Sequence, residues 1–262
     1  MTRLPFMQRS LVCAAIVSAS LLTSLASAAF AAEIQVLSAG AIEPGLKAAA
    51  GAFEKQTGHS VAITFNTAPA LRQRMQGNPP FDVVIAPPAV IGDFAAASQL
   101  AETRANVGRV GIGVAVRAGA PVPDISNADA LKRAVLDAES LVFNRASTGL
   151  YLETLLKKMD IYAQVEGKST RYADGAAVME HLLKGSGPGA AREIGFGATT
   201  EIVLYQDKGL KLVGPMPAEV QNYTAYTAAP LASSMQAELA QQFVAFLAGP
   251  GKPLFVAAGV TD

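Results

Sequence analysis

Tryptophan is absent, cysteine occurs once (Cys13) and histidine twice (His59 and His181). These gaps exclude whole classes of chemistry. A Cys/His zinc centre cannot be assembled, and no disulfide can form within the chain. With aromatic residues at 6% and no indole, there is little to stack against sugars or bases. Charge of one sign is also missing. Lys+Arg equals Asp+Glu at 21 each, so no basic excess exists to neutralise a phosphate backbone, and nucleic acid is not an expected partner. No P-loop, G-x-S-x-G elbow or H-E-x-x-H occurs. Gly111-Ile112-Gly113 lacks the third glycine of a dinucleotide fingerprint and reads as strand. No cofactor and no metal are therefore expected. What is abundant is apolar material, 51% of 262 residues, which is ample for a packed core.

The first 31 residues read as an export signal. Arg3 and Arg9 form a basic start, Leu11 to Leu25 is apolar and uncharged, and Ala29-Phe30-Ala31 matches an A-x-A cleavage site. A membrane anchor is the competing reading, and the Ser/Ala-rich end favours cleavage. Cleavage there removes Cys13, Arg3 and Arg9, leaving a slightly acidic, cysteine-free chain suited to a bacterial periplasm.

The remainder alternates strand and helix, which implies parallel-rich sheets with helices on both faces. Strands are expected at 34–38, 61–65, 82–86, 110–116, 141–143, 169–172, 193–197, 210–214 and 223–229. Between them, the helix with Pro44 in its first turn sets Leu46, Ala49, Ala50 and Phe53 on one face and stops at Gly58. Ser126 is expected to cap a helix to Ala138, and a closing helix to run from Ser233 to Leu247. In such folds ligands sit at the carboxyl ends of strands, beside helix N-termini. Five small polar loops hold that position: Ser38–Ala41, Asn66–Pro69, Asn144–Gly149, Ala173–Ala176 and Gly197–Thr200. They can present backbone N–H groups to an anion, although capping residues are needed at helix starts in any case.

The stretches AFEKQTGHSV, PFDVVIAP, RVGIGVAVRAGAPVPDIS, EIGFGATTEI and LVGPMPAEVQNYTAYTA, in this order, resemble the periplasmic solute-binding proteins of the molybdate-binding type over nearly the whole chain after the signal. The last two are similar to a side branch that includes bacterial aconitate isomerase. The resemblance implies a two-lobed, type II periplasmic binding-protein fold with the ligand in the cleft between lobes. Residues 32–110 and 224–262 would form lobe 1, and residues 111–223 lobe 2. It also implies either of two functions. One is interconversion of cis- and trans-aconitate. The other is carriage of a small organic or oxyanion ligand to an ABC permease.

Molybdate-type proteins hold a tetrahedral oxyanion with hydroxyls and backbone N–H groups. Here Ala41 stands at the family's first-loop Ser, Thr67, Ala68 and Pro69 at its consecutive serines, and Ala198 at its Tyr. Thr148, Gly149 and Ala176 align with its third and fourth contacts and can still give backbone donors, with Gly40, Ala41, Thr67 and Ala68 completing the expected binding set. Each missing hydroxyl would leave an oxyanion poorly paired by about 1–3 kcal/mol. Arg72 and Arg145 stand in or beside these loops and suit carboxylates, so a small di- or tricarboxylate is expected. Both arginines can also be read as exposed surface residues. Isomerisation moves a proton across an allylic system and needs a base. Glu43 and Tyr172 are the candidates, with Asp174 also near but read as an N-cap, and His59 and His181 as structural.

Overall fold

A computed structural model of the chain describes residues 31–262, apart from 78, 186, 188 and 189. The export signal expected at the start lies outside the described residues. β1 (Glu33–Ala39) buries Ile34, Val36 and Leu37 completely and runs through a short turn into α1 (Glu43–Thr57). Leu46, Ala49, Ala50 and Phe53 form the buried stripe of α1, as their spacing predicts, and Gly58 ends the helix at φ 75°. β2 (Ser60–Asn66), α2 (Ala68–Arg74), β3 (Val83–Ala86) and α3 (Pro88–Ala96) follow. β1 pairs in parallel with both β2 and β3.

β4 (Ala105–Arg117) is longer than expected, at 13 residues. Its first part pairs with a late strand, β9 (Tyr223–Pro230), and its second part with β7 (Glu193–Ala198) and β8 (Leu210–Pro215). All these pairings are antiparallel, as is β3 with β9, so the sheets are mixed where the chain crosses and returns. Between β4 and β7 lie α4 (Ala128–Asp137), β5 (Ser140–Asn144), α5 (Ser147–Lys158), α6 (Tyr162–Val165), β6 (Ser169–Tyr172) and α7 (Gly175–Lys184). β5 pairs in parallel with β6 and β7. The short α8 (Thr199–Val203) follows β7. After β9 come α9 (Ala237–Ala248) and α10 (Lys252–Ala257).

Buried apolar side chains gather in separate groups. One is built mostly from residues 34–110 and 226–260, the others from residues between 112 and 216. In the first, Phe53 packs edge-on against Phe243 and Phe246, with ring centroids 5.1 and 5.4 Å apart. Three local expectations change. The α4 cap is Asn127, whose Oδ1 accepts from the Ala130 N–H at 2.9 Å, because the helix starts one residue later than Ser126 would set it. The closing helix begins at Ala237 rather than Ser233. α10 was not expected: six residues are too short for a periodic signal, and Phe255, fully buried against α1 beside Gly45, holds it in place.

Candidate active site

The carboxyl ends of β1, β2, β5, β6 and β7 deliver their loops to one cleft of about 550 Å³. Ala39, Gly40, Ala41, Glu43, Thr67 and Ala68 line one wall. Asn144, Ser147, Thr148, Asp174, Gly175 and Ala176 line the facing one, with Glu201, Tyr205 and Lys208 beside them. The starts of α1, α5 and α7 converge here, and first-turn N–H groups have no acceptor within their own helix. They place partial positive charge on the cleft.

The loops are built so that the donors face inward. Asn144 is buried, and its Oδ1 accepts from the N–H groups of Ala146 and Gly149, both at 3.0 Å, fixing the entry to α5. A Cβ at residue 149 would lie 1.7 Å from the Asn144 carbonyl oxygen, so only glycine permits this turn. Asp174 caps α7 through the Ala177 N–H at 2.9 Å, as expected from sequence. The Thr200 hydroxyl donates to the Ala41 carbonyl and ties the fifth loop to the first.

Glu201 is the group that sequence reasoning missed. At the third position of α8 it reaches back toward the Ala198 N–H, at 3.4 Å. Its carboxylate enters the cleft between the first and fourth loops: a Cβ at residue 40 would lie 3.5 Å from Oε1, and one at residue 175 only 2.1 Å from Oε2. Gly175 therefore makes room for it. Burial pushes the Glu201 carboxyl up to about 7, the Ala198 N–H offsets part of that, and the charges of Asp174 and Glu43 add to it. Burial also raises the Tyr226 phenol beside it, so Tyr226 stays a neutral donor. The clue was the E of EIGFGATTEI, three residues after Ala198, which a capping-box reading makes a helix start rather than a site.

The other expected residues divide. Gly40, Ala41, Glu43, Thr67, Ala68, Thr148 and Ala176 line the cleft. Arg72, Arg145, Tyr172 and Gly149 are not among its lining residues. Arg72 turns outward, its Nε donating to Asp93 Oδ2 at 2.7 Å, with both side chains well exposed. Arg145 is exposed, while the residues on either side of it, Asn144 and Ala146, line the cleft. The Gly149 N–H is already used by Asn144. The Tyr172 hydroxyl sits 2.7 Å from His181 Nδ1, whose Nε2 is 3.0 Å from Glu193 Oε1, so Tyr172 belongs to a polar network inside the 112–216 half. His59 Nδ1 accepts from the Ala32 N–H at 3.1 Å, away from the cleft. Glu43 lines the cleft and holds Lys47 at 2.5 Å. Among the described residues no group of three or more His, Cys, Asp or Glu is arranged to hold a metal ion, and no helix is long and apolar enough to cross a membrane.

This mixed α/β frame, with strand ends converging on one cleft, matches the fold of periplasmic binding proteins. The periplasmic molybdate-binding protein of Azotobacter vinelandii superposes with a TM-score of 0.70 at 20% identity, covering 87% of this chain and 99% of that one. The sulfate-binding protein SubI of Mycobacterium tuberculosis gives 0.70 at 16% identity, covering 87% and 86%. Residues 34–260 match the bacterial extracellular solute-binding protein family, and the chain belongs to it. It is also 30% identical over 222 residues to an aconitate isomerase of Pseudomonas sp., 82% of each chain being covered.

Proposed function

We propose that the protein interconverts cis- and trans-aconitate and that Glu201 carries the proton. The observation behind this reading is a carboxyl raised to about 7, set in the cleft where the helix starts converge. A group poised near neutrality can both take a proton and return it. In the proposed step, ionised Glu201 removes a proton from the substrate methylene, and the C–H electron pair becomes the new double bond. The electrons of the old double bond take a proton at the far carbon, which Glu201 or solvent supplies. Charge that builds on the substrate carboxylates in between is met by the N–H groups of Thr148 and Ala176 and by the starts of α1, α5 and α7. No electron leaves the substrate, so the reaction needs no redox group. The similarity to an aconitate isomerase at 30% identity supports the same reading.

The separation of the buried group built mostly from residues 34–110 and 226–260 from the groups within residues 112–216 supports reading 32–110 with 224–262, and 111–223, as lobes that close on the substrate. Action in the periplasm, after removal of residues 1–31, belongs to the same proposal. Carriage of a small organic or oxyanion ligand to an ABC permease is the second reading, favoured by the family and by the binding proteins that share the fold. The test is direct. Purified protein lacking residues 1–31 is incubated with cis-aconitate and the trans isomer followed by proton NMR. Turnover above the solution background, lost in Glu201→Gln, is expected. Tight binding without isomerisation would sink the isomerase and leave the carrier.

A further inference from the structure

The lining of the cleft contains two cationic side chains among the described residues, Lys47 and Lys208, and they come from opposite sides. Lys47 lies on α1, in the half that holds residues 34–110. Lys208 lies in the turn between α8 and β8, in the other half. Each ammonium rests near an aromatic ring of its own wall, and both rings line the cleft. Lys47 Nζ is 5.7 Å from the Phe65 centroid, and Lys208 Nζ is 4.2 Å from that of Tyr205. The ring orients the side chain and leaves ammonium donors for an anion. The walls also feel each other, since the Glu43 charge is among those that raise the Tyr205 phenol, after burial and Glu180.

We infer that Lys47 and Lys208 form a two-point clamp that selects ligands with at least two carboxylates. The inference rests on the cleft being the carboxylate site proposed above. A monocarboxylate can neutralise one ammonium only, whereas a di- or tricarboxylate engages one on each wall and draws the walls together. Lysine also fits the isomerisation. The cis and trans acids hold their carboxylates at different angles, and two point charges on flexible stems accept both. A rigid guanidinium fork would favour one. Glu43 competes for the same clamp, because its Oε1 lies 2.5 Å from Lys47 Nζ. A ligand carboxylate must displace it.

Calorimetry at fixed pH and ionic strength tests this with propane-1,2,3-tricarboxylate, which has no double bond to shift, and with propanoate. Wild type is expected to bind the tricarboxylate at least a hundredfold more tightly than propanoate. Lys47→Ala and Lys208→Ala should each weaken the tricarboxylate by about tenfold or more, the range of a charged hydrogen bond. Lys47→Arg should recover part of the loss, and Glu43→Gln should tighten binding by freeing Lys47. Lys211→Ala, an exposed lysine outside the cleft, should change nothing. Circular dichroism confirms that each variant is folded. Tricarboxylate binding that is unchanged in both alanine variants would overturn the clamp while leaving the carboxylate reading in place. A wild type that ignores every carboxylate but binds molybdate or sulfate would overturn both.

Discussion

The two ends of β7 treat a glutamate in opposite ways. At its amino end Glu193 is 2% exposed and closely attended: the Ser140 hydroxyl donates to Oε1 at 2.6 Å, His181 Nε2 lies 3.0 Å away, and an Arg117 amine is 3.7 Å from Oε2. Just past its carboxyl end, Glu201 receives a long bond from the Ala198 N–H and faces the like charges of Asp174 and Glu43. One carboxylate is held by hydroxyl, imidazole and guanidinium. The other is raised to about 7 and left facing a cleft. The difference follows the architecture of α/β sheets, in which the carboxyl ends of strands carry ligand sites and the amino ends can be given over to stability. A buried charge with partners is costly to break, and a poorly compensated one is costly to keep.

The largest effect expected from this contrast is a crossing of roles. Glu201→Gln should lower isomerisation by about 10²–10⁴-fold, the usual worth of a general acid–base group, while leaving the protein folded. Glu193→Gln should do the reverse, costing about 3 kcal/mol in urea unfolding because it strips charge from a buried network, with turnover per folded molecule nearly unchanged. If Glu193→Gln instead removed turnover from well-folded protein, the division of labour along β7 would be wrong.

A smaller effect separates the two through pH. Unfolded, Glu201 titrates near the ordinary 4.5; folded, near 7. Between those values the native state holds a proton that the unfolded chain has released. Stability contributed by the raised carboxyl is therefore full below pH 4.5 and is lost as pH climbs toward 7. The loss is worth about 3 kcal/mol, at about 1.4 kcal/mol for each pH unit between those values. Urea melts across pH 5–8 should show this slope in wild type and a weaker one in Glu201→Gln, which should be the more stable of the two at pH 8. Identical slopes in both proteins would mean that Glu201 titrates normally. Gly175→Ala sharpens the point further. Its Cβ would crowd Glu201 Oε2, so the midpoint of the pH–rate profile should move as the carboxylate is pushed from its seat.

How much of this was legible in the chain depended on the range of the signal. Periodicity and capping chemistry act within a few residues, so the strands, α1 with its buried stripe and the Asp174 cap could all be read. The five loops could be placed because strand ends share a common geometry. What could not be read was direction. Arg72 and Arg145 sit beside site loops in sequence, yet Arg72 meets Asp93, twenty-one residues on, and Arg145 is exposed. The cleft's cations come instead from Lys47, a full turn into α1, and Lys208, beyond α8. The antiparallel pairing of β4 with β9 joins residues more than a hundred apart, which no local pattern encodes. Glu201 was hidden for a related reason: its local role at a helix start is an ordinary one, and only the fold brings it against Gly40 and Gly175.

The smallest effect belongs to Tyr172, and it decides between two proton carriers. By sequence Tyr172 stands at the mouth of the fourth loop and is a reasonable base. In the fold its hydroxyl is 2.7 Å from His181 Nδ1, on the side of the strand that leads to Glu193. Tyr172→Phe removes one hydrogen bond and no charge, so it should cost about 1 kcal/mol of stability. The ring stays and continues to pack, and the backbone that donates Ala173 and Asp174 to the cleft is unchanged. kcat and KM should then both stay within about twofold of wild type, because no interaction made only in the transition state is lost. The pH–rate midpoint, set by Glu201, should not move. A hundredfold fall in kcat with KM and stability intact would return the proton to Tyr172 and would make the His181–Glu193 network its activating relay. Nothing short of that pattern would do so, since a merely structural tyrosine lowers stability and leaves the rate profile where it was.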